Sequence, residues 1–381
     1  LNKQIPYSRQ YIDDDDINVV VEVLKSDFLT QGPKIGEFES ALSAYCKAKF
    51  AVVFSSGTAA LHAAYFAAGI GAGDEIITSP ITFAATSNAA LYLGASPVFV
   101  DVEPETGNIN PGLIEKAVTR KTKAVVPVHY AGHPADLDAV HEKAKKHGLI
   151  VIEDACHALG ASYKGGKIGS LSDMTVFSFH PVKPITTGEG GAVTTDNKEY
   201  YEKLLMFRSH GITKDASKFK KAPDGDWYYE MQYLGYNYRM TDIQAALGLS
   251  QLRKLDSFLK RRGEIAAYYN SVFSNSEWFD LPGLREYAGH SWHLYPVRLK
   301  AGCIDKKPGI FSKLRENGLL VQVHYIPVYL QPYYQKLGYK AGLCPEAESF
   351  YERQLSLPIF QSMGDDDIEK VIKEVGRCLQ G

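Results

Sequence analysis

Between Asp13 and Lys25 the apolar residues Ile17, Val20, Val21 and Leu24 recur at i, i+3, i+4 and i+7, the stripe of one helical face. Four aspartates, Asp13 to Asp16, open that stretch, where a helix N-terminus favours negative charge. A helix is therefore expected over 13–25, with a turn at Leu29-Thr30-Gln31-Gly32-Pro33 after it. From about residue 50 short apolar runs alternate with helical stretches. Strands are expected at 51–54, 75–79, 97–102, 124–129, 149–153, 175–179 and 191–195, and helices at 59–68 and 135–147. The run Leu149-Ile150-Val151-Ile152 is apolar throughout, as a strand covered on both faces must be. Such alternation predicts an α/β fold, a mostly parallel sheet with helices on both sides.

After about residue 250 the rhythm changes. A long helix is expected over 252–273, strands over 293–299 and 319–324, and a final helix over 366–379. The expected organisation is a large α/β domain over 1–250, N-terminal segment included, and a smaller α+β domain over 251–381. No repeat, low-complexity tract or Pro/Gly/Ser linker separates the two, so they should pack closely.

Composition narrows the function classes. The chain has 381 residues, 45% hydrophobic and 23% charged, an ordinary globular balance large enough to bury a cofactor site. A net charge of −2 without any Lys/Arg run gives a polyanion nothing to hold, so no nucleic-acid partner is expected. Cysteines 46, 156, 303, 344 and 378 are odd in number and lack a CxxC pair, which argues against a disulfide framework or a zinc site. Leu1–Tyr7 is no apolar signal segment, and no apolar run reaches the roughly 18 residues of a membrane span. A cytoplasmic protein without metal or membrane partner is expected. The chain starts at Leu1 rather than Met, so its numbering is expected to differ from the gene's.

Candidate chemistry centres on Lys183. It follows the strand ending at Phe179, and Pro181 and Pro184 restrict the backbone on either side. Gly188, Gly190 and Gly191 then permit close approach of chain or ligand. A loop lysine is ordinarily a solvated charge; one held in so rigid a frame suits nucleophilic attack on an aldehyde. Asp154 stands at the carboxyl end of the 149–153 strand, where open α/β sheets bind ligands. It could cap a helix there, or hold a pyridinium nitrogen protonated and keep the ring an electron sink. The sequence Ser55-Ser56-Gly57-Thr58-Ala59 joins a strand to an Ala-rich helix, a composition that can cradle a phosphate. Ser178, on the strand leading to Lys183, can add a hydroxyl to the same group.

This ordered set of phosphate turn, Asp, Ser and Lys resembles the fold-type I enzymes of pyridoxal phosphate, the aspartate-aminotransferase-like fold. More narrowly it resembles the DegT/DnrJ/StrS family of nucleotide-sugar aminotransferases, along essentially the whole chain. The motifs that carry the resemblance are Ser56-Gly-Thr-Ala-Ala-Leu61, Glu153-Asp-Ala-Cys-His157, Phe177-Ser-Phe-His-Pro-Val-Lys183, Gly188-Glu-Gly-Gly191 and Gly235-Tyr-Asn-Tyr-Arg-Met240. Leu29–Gly32, His180–Thr187, Phe207–Gly211 and Gln322–Val328 are further similar to aminotransferases of the pseudaminic-acid pathway. The resemblance implies that Lys183 is the Schiff-base lysine and Asp154 the partner of the pyridine nitrogen. Gly57, Thr58, Ala59 and Ser178 would hold the phosphate, and Phe83 and His157 would face the ring. At position 157 the family often carries Gln. Asn237 would reach the phosphate of a neighbouring subunit, which implies a homodimer with shared sites. Tyr7, Asp27, Phe28, Leu29, Thr30, His324, Tyr325 and Tyr329 would contact the sugar nucleotide.

The implied reaction moves an amino group from L-glutamate to C4 of a UDP-linked 4-keto-2-acetamido-2,6-dideoxy-L-hexose. Other 4-keto sugars, dTDP-linked or UDP-pentose, are the nearest alternative. Dehydrating members of the family carry His in place of the lysine, so Lys183 argues against dehydration. A non-enzymatic regulator that binds the cofactor is the reading from another class, and no basic helix-turn-helix pattern supports it. Cysteine desulfuration also uses this cofactor, but no cysteine here lies in a mobile Gly/Ser-rich loop.

Overall fold

The structure, a computed structural model, describes residues 4–380. Seven strands form the central sheet: β1 Phe50–Phe54, β2 Glu75–Thr78, β3 Ser96–Phe99, β4 Thr122–Val126, β5 Ile150–Asp154, β6 Met174–Ser178 and β7 Gly191–Thr195. Their order is β1-β7-β6-β5-β4-β2-β3. From β6 to β3 every pairing is parallel, and β7 alone runs antiparallel to both of its neighbours. The expected mostly parallel α/β sheet is thus what the chain forms.

Side chains on alternate positions of a strand point to opposite faces, and β1 shows what each face meets. Val52 and Phe54 join an apolar cluster with the helices α3 (Gly57–Ala67) and α7 (Lys198–Arg208). Ala51 and Val53 join another with α2 (Pro33–Cys46) and the 31-residue α8 (Asp242–Val272). With both faces covered, the strands carry apolar runs such as Ala51–Phe54, Ile76-Ile77 and Ile150–Ile152, which is why they were readable.

Helix ends differ from the pattern where side-chain caps decide them. Helix α3 starts at Gly57 because the Ser56 hydroxyl accepts from Ala59 N–H at 3.1 Å. Helix α8 starts ten residues before the expected 252, capped by Thr241 and Gln244, each side chain accepting from the other's backbone N–H. The strand expected over 319–324 is regular only at Leu319–Leu320, where it pairs with Ile5–Pro6. Helices α2, α4 (Ala85–Tyr92), α5 (Pro111–Ala117) and α7 had not been anticipated.

The C-terminal part builds a three-stranded antiparallel sheet from Phe279–Asp280, Tyr295–Leu299 and Gln354–Leu357. Its core includes Tyr269 of α8 and Phe273 just beyond its end, Val371 and Val375 of the last helix, and Ile5. Helix α8 therefore runs through the expected division at 250, and the N-terminal strand packs with the C-terminal part. Close packing of the two parts brings Tyr7, His324 and Tyr325 to the sheet's carboxyl edge.

Candidate active site

Phe54, Gly191 and Ser178 lie level across three neighbouring strands, and Asp154 pairs beside Val176. The carboxyl ends of β1, β5 and β6 thereby converge on one cavity of about 420 Å³. Ser56, Gly57, Thr58, Asp154, Ser178 and Lys183 all line it, as do Phe83, His157, Tyr7, His324 and Tyr325. Residues from 7 to 325 of the chain are thus drawn together by the fold rather than by proximity in sequence.

At one end is the start of α3. Ser56 takes the amide of Ala59, and its carbonyl takes that of Ala60, so Ala59 is not a free donor. The Gly57 and Thr58 amides have no intrahelical acceptor, as the first residues of a helix never do. A Cβ on Gly57 would fall 2.9 Å from Ser178 Cβ and 3.1 Å from Ser178 Oγ. Glycine is therefore required for the turn to sit against that serine. The result is a pair of amides and two hydroxyls, Thr58 and Ser178, fit to hold an anion.

Asp154 is buried at the end of β5. Its Oδ2 accepts from Thr86 Oγ1 at 2.6 Å and its Oδ1 from Cys156 N–H at 3.1 Å. Thr86 is itself 2.7 Å from Thr82 Oγ1, so two hydroxyls stand in line behind one carboxylate oxygen.

Lys183 lies in a closed loop. Its N–H donates to His180 O at 2.9 Å, and Thr187 N–H and Thr186 Oγ1 both donate to Phe179 O at 3.0 Å. Ser8 Oγ secures Val182 O at 2.9 Å. The Lys183 side chain is buried, and among the described residues no hydrogen bond or ion pair holds its Nζ. Burial pushes this amine below the usual lysine range, while Cys156 and Asp154 act in the opposite direction. An unpaired, dehydrated amine of lowered basicity is the form in which lysine attacks a carbonyl.

Rings of neutral histidine form the remaining wall. Burial, with Lys183 and His324 nearby, drives His157 well below its ordinary value. Ala131 N–H donates to His157 Nδ1 at 3.3 Å, so the single proton of the neutral ring sits on Nε2 and goes to Tyr325 Oη at 3.0 Å. The Tyr325 hydroxyl proton is then free for the cavity. His324 follows the same logic. Gln354 Oε1 accepts from His324 N–H at 2.8 Å, which turns Gln354 Nε2 toward Ser356 Oγ at 2.6 Å. Ser356 must then donate to His324 Nδ1 at 2.8 Å, leaving the ring proton on Nε2. Burial followed by Lys183 pushes His324 down to about 3. Phe83 stands at the mouth, 63% exposed, 6.3 Å from the Tyr325 ring.

Several expected residues lie elsewhere. Tyr329 is a correction: it is fully buried, packs on Phe99 and donates to Glu348 Oε1 at 2.5 Å, because its hydroxyl serves the core rather than a ligand. Asn237 pairs with Ser209, and Thr30 with Thr241; neither they nor Asp27, Phe28 and Leu29 line this chain's cavity. Conversely Thr86, Cys156, His180, Glu189 and His293 line it and were not singled out. Of these, His293 carries no local sequence signal, and Thr86 lies in the Thr82–Thr86 segment that also holds Phe83.

The residues fit pyridoxal phosphate. An anion cradle, a buried carboxylate and an unpaired lysine surround one cavity, and the Gly57 contact leaves no room for a side chain where a phosphate would approach. Among the described residues no cluster of His, Cys, Asp and Glu has the makings of a metal site, and no helix is long and apolar enough to cross a membrane.

Comparison with known proteins agrees with this geometry. A profile described as the DegT/DnrJ/EryC1/StrS aminotransferase family matches residues 10–376. The spore coat polysaccharide biosynthesis protein SpsC of Bacillus subtilis is 44% identical over 384 residues, covering 100% of this chain and 98% of that one. A UDP-4-amino-4,6-dideoxy-N-acetyl-beta-L-altrosamine transaminase of Campylobacter jejuni is 42% identical over 370 residues, 96% of this chain and 95% of that one. Among solved structures, Helicobacter pylori PseC, an aminotransferase involved in pseudoaminic acid biosynthesis, superposes with a TM-score of 0.93 at 37% identity, covering 99% of this chain and 100% of that one.

Proposed function

Since this chain belongs to the DegT/DnrJ/EryC1/StrS aminotransferase family, whose members are sugar aminotransferases dependent on pyridoxal phosphate, we propose that it aminates C4 of a UDP-linked 4-keto-2-acetamido-2,6-dideoxy-L-hexose with L-glutamate as donor. That is the amination step of pseudaminic acid biosynthesis. The observation that carries the reading is the unpaired, buried Lys183 amine in one cavity with the Asp154 carboxylate and the α3 amide cradle. Similarity over nearly the full length to the Campylobacter transaminase and to PseC supports the choice of sugar.

When bound, pyridoxal phosphate supplies an aldehyde that takes up an amine and a ring that stores electrons from the adjacent carbon. The chain supplies everything else. Gly57 and Thr58 amides with the Thr58 and Ser178 hydroxyls hold the phosphate. Asp154, fixed by Thr86 and Cys156 N–H, keeps a proton on the pyridine nitrogen. Lys183 Nζ takes the proton from the donor Cα in the first half-reaction and delivers one to the sugar C4 in the second. In the first half-reaction a water supplies the keto oxygen with which the donor leaves as 2-oxoglutarate, and in the second the ketone oxygen of the sugar leaves as water. Tyr325, whose own proton is free, and the His324 Nε2–H offer two donors to oxygens of the sugar.

A homodimer completes the reading. Asn237 and residues 27–30 lie outside their own chain's cavity, and Phe28, Leu29, Trp227, Met231 and Leu234 are exposed apolar side chains of the kind a second copy covers. We place the enzyme in the cytoplasm, where thiols remain reduced, because all five cysteines are unpaired.

The similarity to SpsC favours one rival, the same chemistry on a different 4-keto nucleotide sugar. Incubation with L-glutamate and a panel of UDP- and dTDP-linked 4-keto sugars, followed by mass spectrometry and NMR of the products, separates the two. The 4-amino product of the UDP-linked 2-acetamido sugar is expected at the highest rate. Amination of a dTDP sugar or a UDP-pentose in its place would assign the chain to the rival.

A further inference from the structure

Arg262 lies on α8 with its side chain completely buried and, among the described residues, forms no ion pair. A buried charge without a counter-ion is costly, and an apolar side chain of similar volume would ordinarily fill such a space better. Here the guanidinium donates to neutral acceptors on three other segments. Nη2 and Nε reach Gln361 Oε1 at 2.9 and 3.2 Å. Nη1 reaches Ile359 O at 3.0 Å, Trp292 O at 3.1 Å and His293 O at 3.4 Å. Nη2 also reaches Ser8 Oγ at 3.4 Å.

Two of these arms end on different walls of the cavity. Ser8 hands its own proton to Val182 O at 2.9 Å, the carbonyl immediately before Lys183. On the other side Trp292 is held at φ +52, a left-handed conformation strained for a large side chain. Its carbonyl is one that Arg262 grips. Ser291, just before it, donates to His157 O at 2.9 Å, and His293, just after it, lines the cavity. One side chain therefore ties the lysine loop to the histidine wall through the N-terminal segment.

We infer that Arg262 and Ser8 are positioning residues for the reaction: together they set the Lys183 loop against the wall formed by His157 and His293. The inference rests on the reading of Lys183 given above. Neither residue touches the reacting atoms, and both act through the backbone at Val182 and at 291–293. A purely structural Arg262 would affect the fold's stability and leave the loop's geometry alone.

The test uses full-length S8A, R262M and R262K proteins. Hydrogen–deuterium exchange is followed over 179–187, and the near-visible absorbance of the bound cofactor is titrated against pH. S8A removes the hydroxyl that joins Arg262 Nη2 to Val182 O and leaves the other Arg262 hydrogen bonds in place. It should raise exchange over 179–187 by about tenfold, as loss of one net hydrogen bond implies, while exchange in α8 stays unchanged. The absorbance midpoint should move, and kcat should fall with KM for the sugar little altered. R262M should do the same and also unfold more readily, and R262K should recover part of the absorbance shift. Wild-type exchange over 179–187 in both S8A and R262M would overturn the inference. Exchange reports on the loop whether or not Lys183 carries the cofactor; that assignment fails separately, if Lys183→Ala retains the absorbance band.

Discussion

Thr86 donates its hydroxyl proton to Oδ2 of Asp154 across 2.6 Å, and Thr82 stands 2.7 Å behind it. With Cys156 N–H on Oδ1, each carboxylate oxygen has one protein donor and a further lone pair for a ligand. The carboxylate is thereby oriented before any cofactor arrives. Thr86→Val should lower kcat by about tenfold, the worth of one hydrogen bond to a charged group. Asp154→Asn, which removes the charge and keeps the shape, should cost about a hundredfold or more, since the ring then loses its proton partner. Steady-state kinetics of the cofactor-saturated variants checks both, and the order of the two effects is the critical outcome.

Gly57 has no spare space. A methyl group there must displace Ser178, on the strand beside it, so Gly57→Ala should weaken cofactor binding and destabilise the fold by about 1–3 kcal/mol, the usual cost of overpacking. Equilibrium dialysis of pyridoxal phosphate and thermal unfolding measure the two effects. An unchanged dissociation constant would mean that the phosphate binds elsewhere.

His157 accepts from Ala131 and donates to Tyr325. A glutamine amide has the same two capacities, one oxygen acceptor and one N–H donor. His157→Gln should therefore keep kcat within about tenfold of the wild type, whereas His157→Leu, which leaves both partners unmatched, should cost more than the net value of one hydrogen bond. Equal losses in the two variants would show that this pair is irrelevant to turnover.

Burial holds several histidines neutral. His62 and His133 are each pushed down to about 4 and His324 to about 3, and His290 and His293 also lie well below their ordinary value. In the unfolded chain histidine protonates near pH 6.5. The unfolded state therefore binds protons first as pH falls, and stability drops from about pH 6.5 toward the folded values. Paired carboxylates contribute only below about pH 4.5, so the two effects separate. The melting temperature should fall steadily between pH 6.5 and 4.5, and unfolding at pH 5 should take up several protons. A melting temperature constant over that range would refute neutral burial of these rings.

The sheet was legible because strands covered on both faces carry continuous apolar runs, as in Leu149–Ile152. The cofactor end of the cavity was legible too, because Asp154 and Ser178 end their strands and Ser56, Gly57 and Lys183 follow a strand within a few residues, where local sequence fixes the backbone. Helix α2 was missed: its buried residues, Ile35, Phe38, Leu42 and Cys46, sit among Gly36, Ser40 and Ser43, which blur the stripe. Arg262 and His293 gave no sign, since their partners lie 30 to 254 positions away and only the folded chain brings them together. Tyr329 illustrates the opposite error. A tyrosine beside a binding segment reads as a contact until its ring is found in the core and its hydroxyl on half-buried Glu348.

The central claim is that one lysine, Lys183, carries the cofactor. Borohydride reduction of the holoenzyme, followed by proteolysis and mass spectrometry, fixes any such linkage permanently to its residue. The cofactor's added mass should appear on the peptide containing Lys183 and vanish in Lys183→Ala. Label on a different lysine, or undiminished label in that variant, would contradict the account.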